Sequence, residues 1–329
     1  MNEVKVERGG LWTSVQDGGR AGWRHSGMPG SGAMDMFAYR AANAMVGNVR
    51  GEAALEFTMD GPTLVFAEAS VICVSGGDFI ASLDDVVLPL WRPVYVPAGG
   101  RVRIGAARSG YRGYLAVAGG FDVPAVLGSR SMYPHAHGFA GLAGRALAAG
   151  DALLLNPLAP EAHRLAVAAA AAKYGLAASM RPDYGARVKR VRCFAGAEHT
   201  RFAPGVREQF AAAPYVLSAQ SDRMGLRLAG ASLVQPSAEA GSMPSAPAAV
   251  GNVQVPPNGQ PIVLAADGQT IGGYPRIAQV AAVDMPILAQ ARPGDAIHFE
   301  WITVEHAEQL WHDRERDFQQ LNLTMKTLR

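Results

Sequence analysis

Gly251–Ala278, GNVQVPPNGQPIVLAADGQTIGGYPRIA, is the stretch on which the fold turns. Val253, Val255, Ile262, Val263 and Leu264 supply β-branched and aliphatic strand material on either side of Pro256-Pro257-Asn258-Gly259. Proline presets its φ angle and Asn-Gly accepts left-handed backbone, so this quartet predicts the turn of a β-hairpin. Beyond the hairpin, Asp267 and Gln269 stand two apart and would share a face if the chain stayed extended. Thr270 follows, and Gly272-Gly273-Tyr274-Pro275-Arg276 closes the segment. Gln269 donates and accepts side by side, which matches an amide, urea or lactam, each a carbonyl beside an N–H. Arg276 can grip a carboxylate through two parallel bonds. The rival interpretation is a solvated turn whose glycines serve geometry alone. Neither group is a strong nucleophile.

Working outward, the same punctuation recurs. Short apolar runs at Thr63 to Phe66, Ser70 to Ser75, Val86 to Leu90, Val102 to Ile104, Tyr114 to Ala118 and Ala152 to Leu155 sit between turn residues, in a chain with 38 glycines and 21 prolines. That spacing predicts antiparallel β structure. A turn-then-strand phrase appears at Pro97 to Val102, Ala149 to Leu153 and Pro293 to Ile297 without a fixed period. The pattern therefore favours two related β lobes, residues 1–185 and 186–329, over a solenoid. Alanine-rich Pro160 to Ala178 reads as a connecting helix. Met34, Phe37, Ala38, Ala41, Ala42 and Met45 repeat at helical spacing before a Gly47-Asn48 stop. Thr303 can cap a last helix carrying Ala307, Leu310, Trp311, Phe318 and Leu321 on one stripe.

A second polar cluster is Thr13-Ser14-Val15-Gln16-Asp17-Gly18-Gly19-Arg20, followed by Gly27-Met28-Pro29-Gly30-Ser31-Gly32-Ala33-Met34-Asp35. Such glycine density brings backbone N–H groups close to a ligand and can form an anion nest. It is neither a P-loop nor a dinucleotide fingerprint, so the chain is not expected to bind ATP alone. Ser31 or Asp35 can equally cap the following helix. Ala33-Met34-Asp35-Met36 has Asp35 where a lysine would carry biotin, so there is no biotin attachment site. His135 and His137 have no convincing third ligand, and no metal site is assigned. Ser221 to Leu228 forms a third cluster, in which Arg223 and Arg227 could join Arg276 in a cationic wall, or Asp222 and Arg223 could be a surface pair.

The composition narrows the function classes. The chain has 329 residues, 49% hydrophobic and 18% charged, with a net charge of +2 from scattered basic residues. It can bury a sizeable core and offers no footprint for nucleic acid or an anionic membrane. MNEVKVERGG lacks a signal-peptide core, and Leu165 to Ala172 is too short to span a bilayer, so a cytoplasmic protein is expected. Cys73 and Cys193 are read as reduced core thiols.

Together TSVQDGGRAGWRHSGMPGSGAMD, ANAMVGN with ALEFTMDGP, YLAVAGGFD, SDRMGLRL and the opening stretch resemble the allophanate hydrolase subunit 2 family, also called KipA or biotin-dependent carboxyltransferase-like. The C component of bacterial 5-oxoprolinase is a member. The similarity runs from about Gly9 to Pro293-Gly294-Asp295, departing at Met28, where a small β-branched residue is usual, and at Met132, where threonine is. It implies a mainly β protein of two cyclophilin-like barrel lobes with a few short helices. It also implies a KipI-like (subunit 1) partner and a lactam-utilisation-like partner, with ATP and Mg serving the complex. The implied activity is opening of a small amide or lactam, 5-oxoproline to glutamate, the chain being inactive alone. The alternatives are carboxyl transfer from biotin to urea, and non-catalytic regulation through a KipI-like kinase inhibitor. On this view Arg20 and Arg276 meet developing negative charge, while Asp17 or Asp267 positions water or takes a proton. Gln16, Ser31, Asp35, Arg223, Gln269, Thr270 and Tyr274 contact substrate, the two ends of the chain being expected to line one cleft.

Overall fold

The computed structural model describes residues 2–48, 51–134, 139–158, 160–233 and 243–327. His135 and His137 lie outside them. The chain is mainly β and forms two compact units, Met1–Arg20 with Ser31–Tyr184 and Arg316–Arg329, and Ala21–Gly30 with Gly185–Glu315.

In the first unit the strands are β1 (Glu3–Arg8), β2 (Trp12–Gln16), β3 (Ala54–Thr58), β4 (Thr63–Phe66), β5 (Ser70–Leu83), β6 (Val86–Val87), β7 (Pro93–Val96), β8 (Arg101–Val117) and β9 (Ala152–Leu154). They make one curled sheet ordered β2-β3-β8-β4-β1-β9, with β5 joining β8 to β6 and β7. The expected runs Val102 to Ile104 and Tyr114 to Ala118 are parts of one strand, β8. Glycines between them read as breaks, but β5 and β8 continue past them through register shifts at Gly76/Asp78, Asp78/Phe79 and Phe79/Ala81. Gly113 is required there: a Cβ would lie 2.2 Å from the Phe57 ring, which packs edge-on to Phe79 at 4.9 Å.

Helix α1 (Met36–Met45) starts at Asp35, whose carboxylate accepts from Ala38 N at 2.9 Å. It ends as predicted at Gly47-Asn48, with Gly47 at φ 76° and Asn48 N donating to Asn43 O. Phe37, Ala38, Ala41, Ala42 and Met45 are buried in the first core. Helix α2 (Pro160–Ala171) stops short of the predicted Ala178, the chain turning left-handed at Lys173 (φ 55°).

The second unit adds β10 (Val188–Ala195), α3 (Pro204–Ala212), β11 (Tyr215–Leu217), β12 (Gly225–Ala229), β13 (Ala246–Pro247), β14 (Asn252–Gln254), β15 (Ile262–Leu264), β16 (Ile271–Gly272), β17 (Arg276–Val280), α4 (Met285–Ala289) and β18 (Ala296–Trp301). Strands β10-β17-β14-β15-β12-β11-β18 close a barrel, and β13 pairs with β16 beside it. Closure leaves no unpaired edge. The predicted hairpin is β14–β15, with Val253 opposite Val263 and Gly259 N bonded to Pro256 O. Val191, Val253, Val263, Ile277, Ile297 and Phe299 are fully buried, and Phe210 stacks on Phe299 at 4.5 Å.

The last helix, α5 (Val304–Thr327), is capped by Thr303, whose Oγ1 accepts from His306 N. Its Phe318, Leu321 and Met325 belong to the first unit's core, where Phe318 meets Phe37 at 5.2 Å. No helix among the described residues is long and apolar enough to cross a membrane.

Candidate functional site

In the second unit the candidate site is built on the barrel hairpin. Gln254 sits on β14 opposite Ile262 of β15 and Arg276 of β17, which aligns it across three strands. Gln269 lies in the connection after β15, and its Nε2 donates to Gln254 Oε1 at 3.4 Å. The two carboxamides therefore stand side by side. Their Nε2 atoms pack against Gly272, where a Cβ would lie 2.5 Å from Gln269 Nε2 and 2.6 Å from Gln254 Nε2; Gln254 is buried and Gln269 is exposed. Thr270 is buried, with its carbonyl accepting from Ala248 N, while Tyr274 is 39% exposed on the rim.

Asp267 and Gln269 do not share an extended face. Gly268 N closes a turn onto Ala265 O, and the two side chains take different partners. Asp267, 1% exposed, accepts from Arg223 Nε at 2.8 Å and Nη2 at 3.3 Å. Arg276 is held by Glu198 in bidentate fashion, at 2.6 Å and 2.5 Å. That hydrogen bonding draws the Glu198 carboxyl below its ordinary range against the opposing effect of burial, and raises Arg276. Arg223 and Arg276 each face a carboxylate, so these two members of the expected cationic wall are neutralised and the fork expected to grip a substrate acid is filled, while Arg227 is exposed on β12. Asp222 instead closes a turn, accepting from Met224 N and Gly225 N.

Ala21–Gly30 of the glycine-rich stretch belongs to this unit. There Arg24 donates through Nη2 to Ala248 O and, at 3.2 Å, to Gln269 O. Burial lowers its affinity for the proton, and no acid side chain among the described residues offsets this.

The first unit holds the other cluster. Asp17 is a hub: its carboxylate accepts from Gly19 N at 2.8 Å, Ser129 Oγ and Ser131 Oγ at 2.6 Å each, and Arg130 N at 2.5 Å. Four donors engage its lone pairs, tying the 17–19 loop to residues 129–131. Arg20 donates to Ser131 O and lies 4.9 Å from the Phe139 ring centroid. Gln16 is fully buried, its amide donating to Ser14 Oγ and Met132 O, so it is an internal tie and not an exposed reader of amides. Asp35, also fully buried, caps α1. Its N–H donates to the Tyr114 hydroxyl, which donates to Glu56, and Glu56 also accepts from Met34 N. Burial, above all, raises Tyr114 well above the ordinary phenol range. Ser31 is left-handed at φ 53°, its hydroxyl shielded and without a hydrogen-bond partner among the described residues.

Gln254, Arg24, Glu198 and Glu56 escaped the sequence reading. Gln254 stood inside an apolar run, and only register shows that it meets Gln269. For Arg24 the spacing held no signal, since its partners lie 224 and 245 positions away. Among the described residues no three His, Cys, Asp or Glu side chains gather as metal ligands.

Fold and site define a two-unit, barrel-bearing β protein whose barrel unit sets two side-chain amides beside acid-paired arginines. The sequence comparison gives that class its family. The chain belongs to the carboxyltransferase domain, subdomain A and B, family, whose model matches residues 26–301. It is 40% identical over 323 residues to an Escherichia coli protein named as the C component of 5-oxoprolinase, covering 97% of both. A Haemophilus influenzae protein with the same name is 37% identical over 300 residues, 90% of each. The crystal structure of Kluyveromyces lactis urea carboxylase matches with a TM-score of 0.88 and 29% identity, over 97% of this chain and 29% of that one.

Proposed function

We propose that this chain is the C component of an ATP-dependent 5-oxoprolinase complex that opens the lactam of 5-oxoproline to glutamate. The observation that carries the proposal is the near-full-length similarity to two proteins named as that component. The partners are a KipI-like protein and a lactam-utilisation-like protein. ATP and Mg belong to them: this chain has no P-loop, and the carboxylates of its glycine loop, Asp17 and Asp35, are already taken by internal donors. The part played here is substrate recognition. A lactam presents C=O beside N–H, and exposed Gln269, backed by the hydrogen bond to buried Gln254, presents the complementary edge. Amide donors held in place beforehand also meet the charge that grows on the lactam oxygen as the ring opens. The Asp267–Arg223 pair holds the connection that carries Gln269, and the Arg276–Glu198 pair holds β17 beside the strand of Gln254.

The test is reconstitution with both partners, following glutamate release. ATP-dependent turnover that needs all three chains supports the proposal, and no turnover with a correctly assembled complex refutes it. A second reading, carboxyl transfer to urea, draws support from the likeness to urea carboxylase. Urea carboxylation on adding a biotinylated carrier protein would favour it.

A further inference from the structure

We propose that Arg24 is the carboxylate anchor of this site, making the second unit selective for lactams that bear an acid group; this rests on the 5-oxoprolinase reading. Two other arginines of the site are matched by acids, Arg223 by Asp267 and Arg276 by Glu198, as Arg192 is by Asp284 elsewhere in the barrel unit. Arg24 is different. Half-buried, it has only the carbonyl oxygens of Ala248 and Gln269 as partners among the described residues. A partly desolvated guanidinium without a counter-charge is costly for the protein to keep, and an arriving carboxylate offsets that cost. Burial accordingly makes its protonated form harder to keep.

Position completes the argument. Arg24 bonds to the backbone of the residue whose side chain reaches Gln254, so the cation and the amide pair share one strip of the barrel unit. Gln269 is exposed beside buried Gln254, and half-exposed Trp23 and Tyr274 with exposed Ile271 supply apolar contact. The ligand that satisfies all three features carries a lactam edge, a short apolar ring and a carboxylate. 5-Oxoproline does. Urea and 2-pyrrolidinone lack the acid group.

The diagnostic variant is Arg24→Gln, which retains a donor for the two carbonyls while removing the charge. In the complete complex, wild type and variant are compared on 5-oxoproline, its neutral carboxamide and 2-pyrrolidinone, by turnover and by direct binding. The inference predicts that Arg24→Gln weakens 5-oxoproline by about 10- to 100-fold, mainly in KM, and leaves the neutral lactams unchanged. Equal losses on acidic and neutral lactams, or no loss, would overturn it, because a residue that only fastens its loop cannot distinguish them. Wild-type complex that binds 5-oxoproline no better than the carboxamide would also overturn it. Wild-type complex that binds 5-oxoproline preferentially but never hydrolyses it would instead sink the oxoprolinase reading and leave the anchor standing.

Discussion

Gly272 shows how much one missing carbon does here. Its neighbours are the free ends of two glutamine side chains, which can swing aside, so Gly272→Ala should cost little stability and much geometry. The expected result is a melting temperature within about 2 °C of wild type. Lactam kcat/KM should fall by about 10- to 100-fold in the complex, since misplaced binding groups are penalised steeply. Glu198 gives a pH prediction. Its carboxyl titrates below its ordinary value of 4.5, so the stability it supplies is full above that value and is lost as pH falls through the lower, folded one. Glu198→Gln should therefore flatten the acid limb of stability as pH falls below the ordinary value of 4.5, measured by denaturant unfolding. Gln269 was legible in sequence because it stood among glycines after a hairpin. Gln254 and Arg24 were not, because their meaning comes from strand register and from a contact across more than 200 residues.

At the scale of elements, periodicity and capping chemistry carried well. The hairpin at Pro256 to Gly259, the start of α1 at Asp35 and the Thr303 cap of α5 all follow from local rules that tertiary packing did not override. The long β5–β8 ribbon was hidden because glycine usually interrupts strands. Here bulges absorb it, and Phe57 occupies the room that Gly113 leaves. Gly113→Ala should thus destabilise the first unit by about 1–3 kcal/mol, read from chemical denaturation, through overpacking against an aromatic ring that cannot move away. Asp35 serves the same scale: of the two roles the sequence offered it, cap and ligand contact, the structure displays the capping bond, and its N–H joins the Tyr114–Glu56 chain.

For the whole molecule, composition and turn spacing were enough to indicate mainly β structure, and the structure supplies a closed barrel in one unit and a curled sheet in the other. The thread of the chain was beyond sequence reach: residues 21–30 belong to the second unit and 316–329 to the first. Cys73 and Cys193 are buried, one in each unit, and burial pushes both thiols up. Neither should react with iodoacetamide in the native protein near pH 8, and both should react once it is unfolded, as counted by mass spectrometry. The most direct measurement of the central claim, that the paired glutamines of the barrel unit read the lactam, is ATP-dependent glutamate release by the three-chain complex carrying Gln254→Ala or Gln269→Ala. Each variant should assemble normally and lose about 10- to 100-fold in kcat/KM for 5-oxoproline. Wild-type turnover in both assembled variants would contradict it.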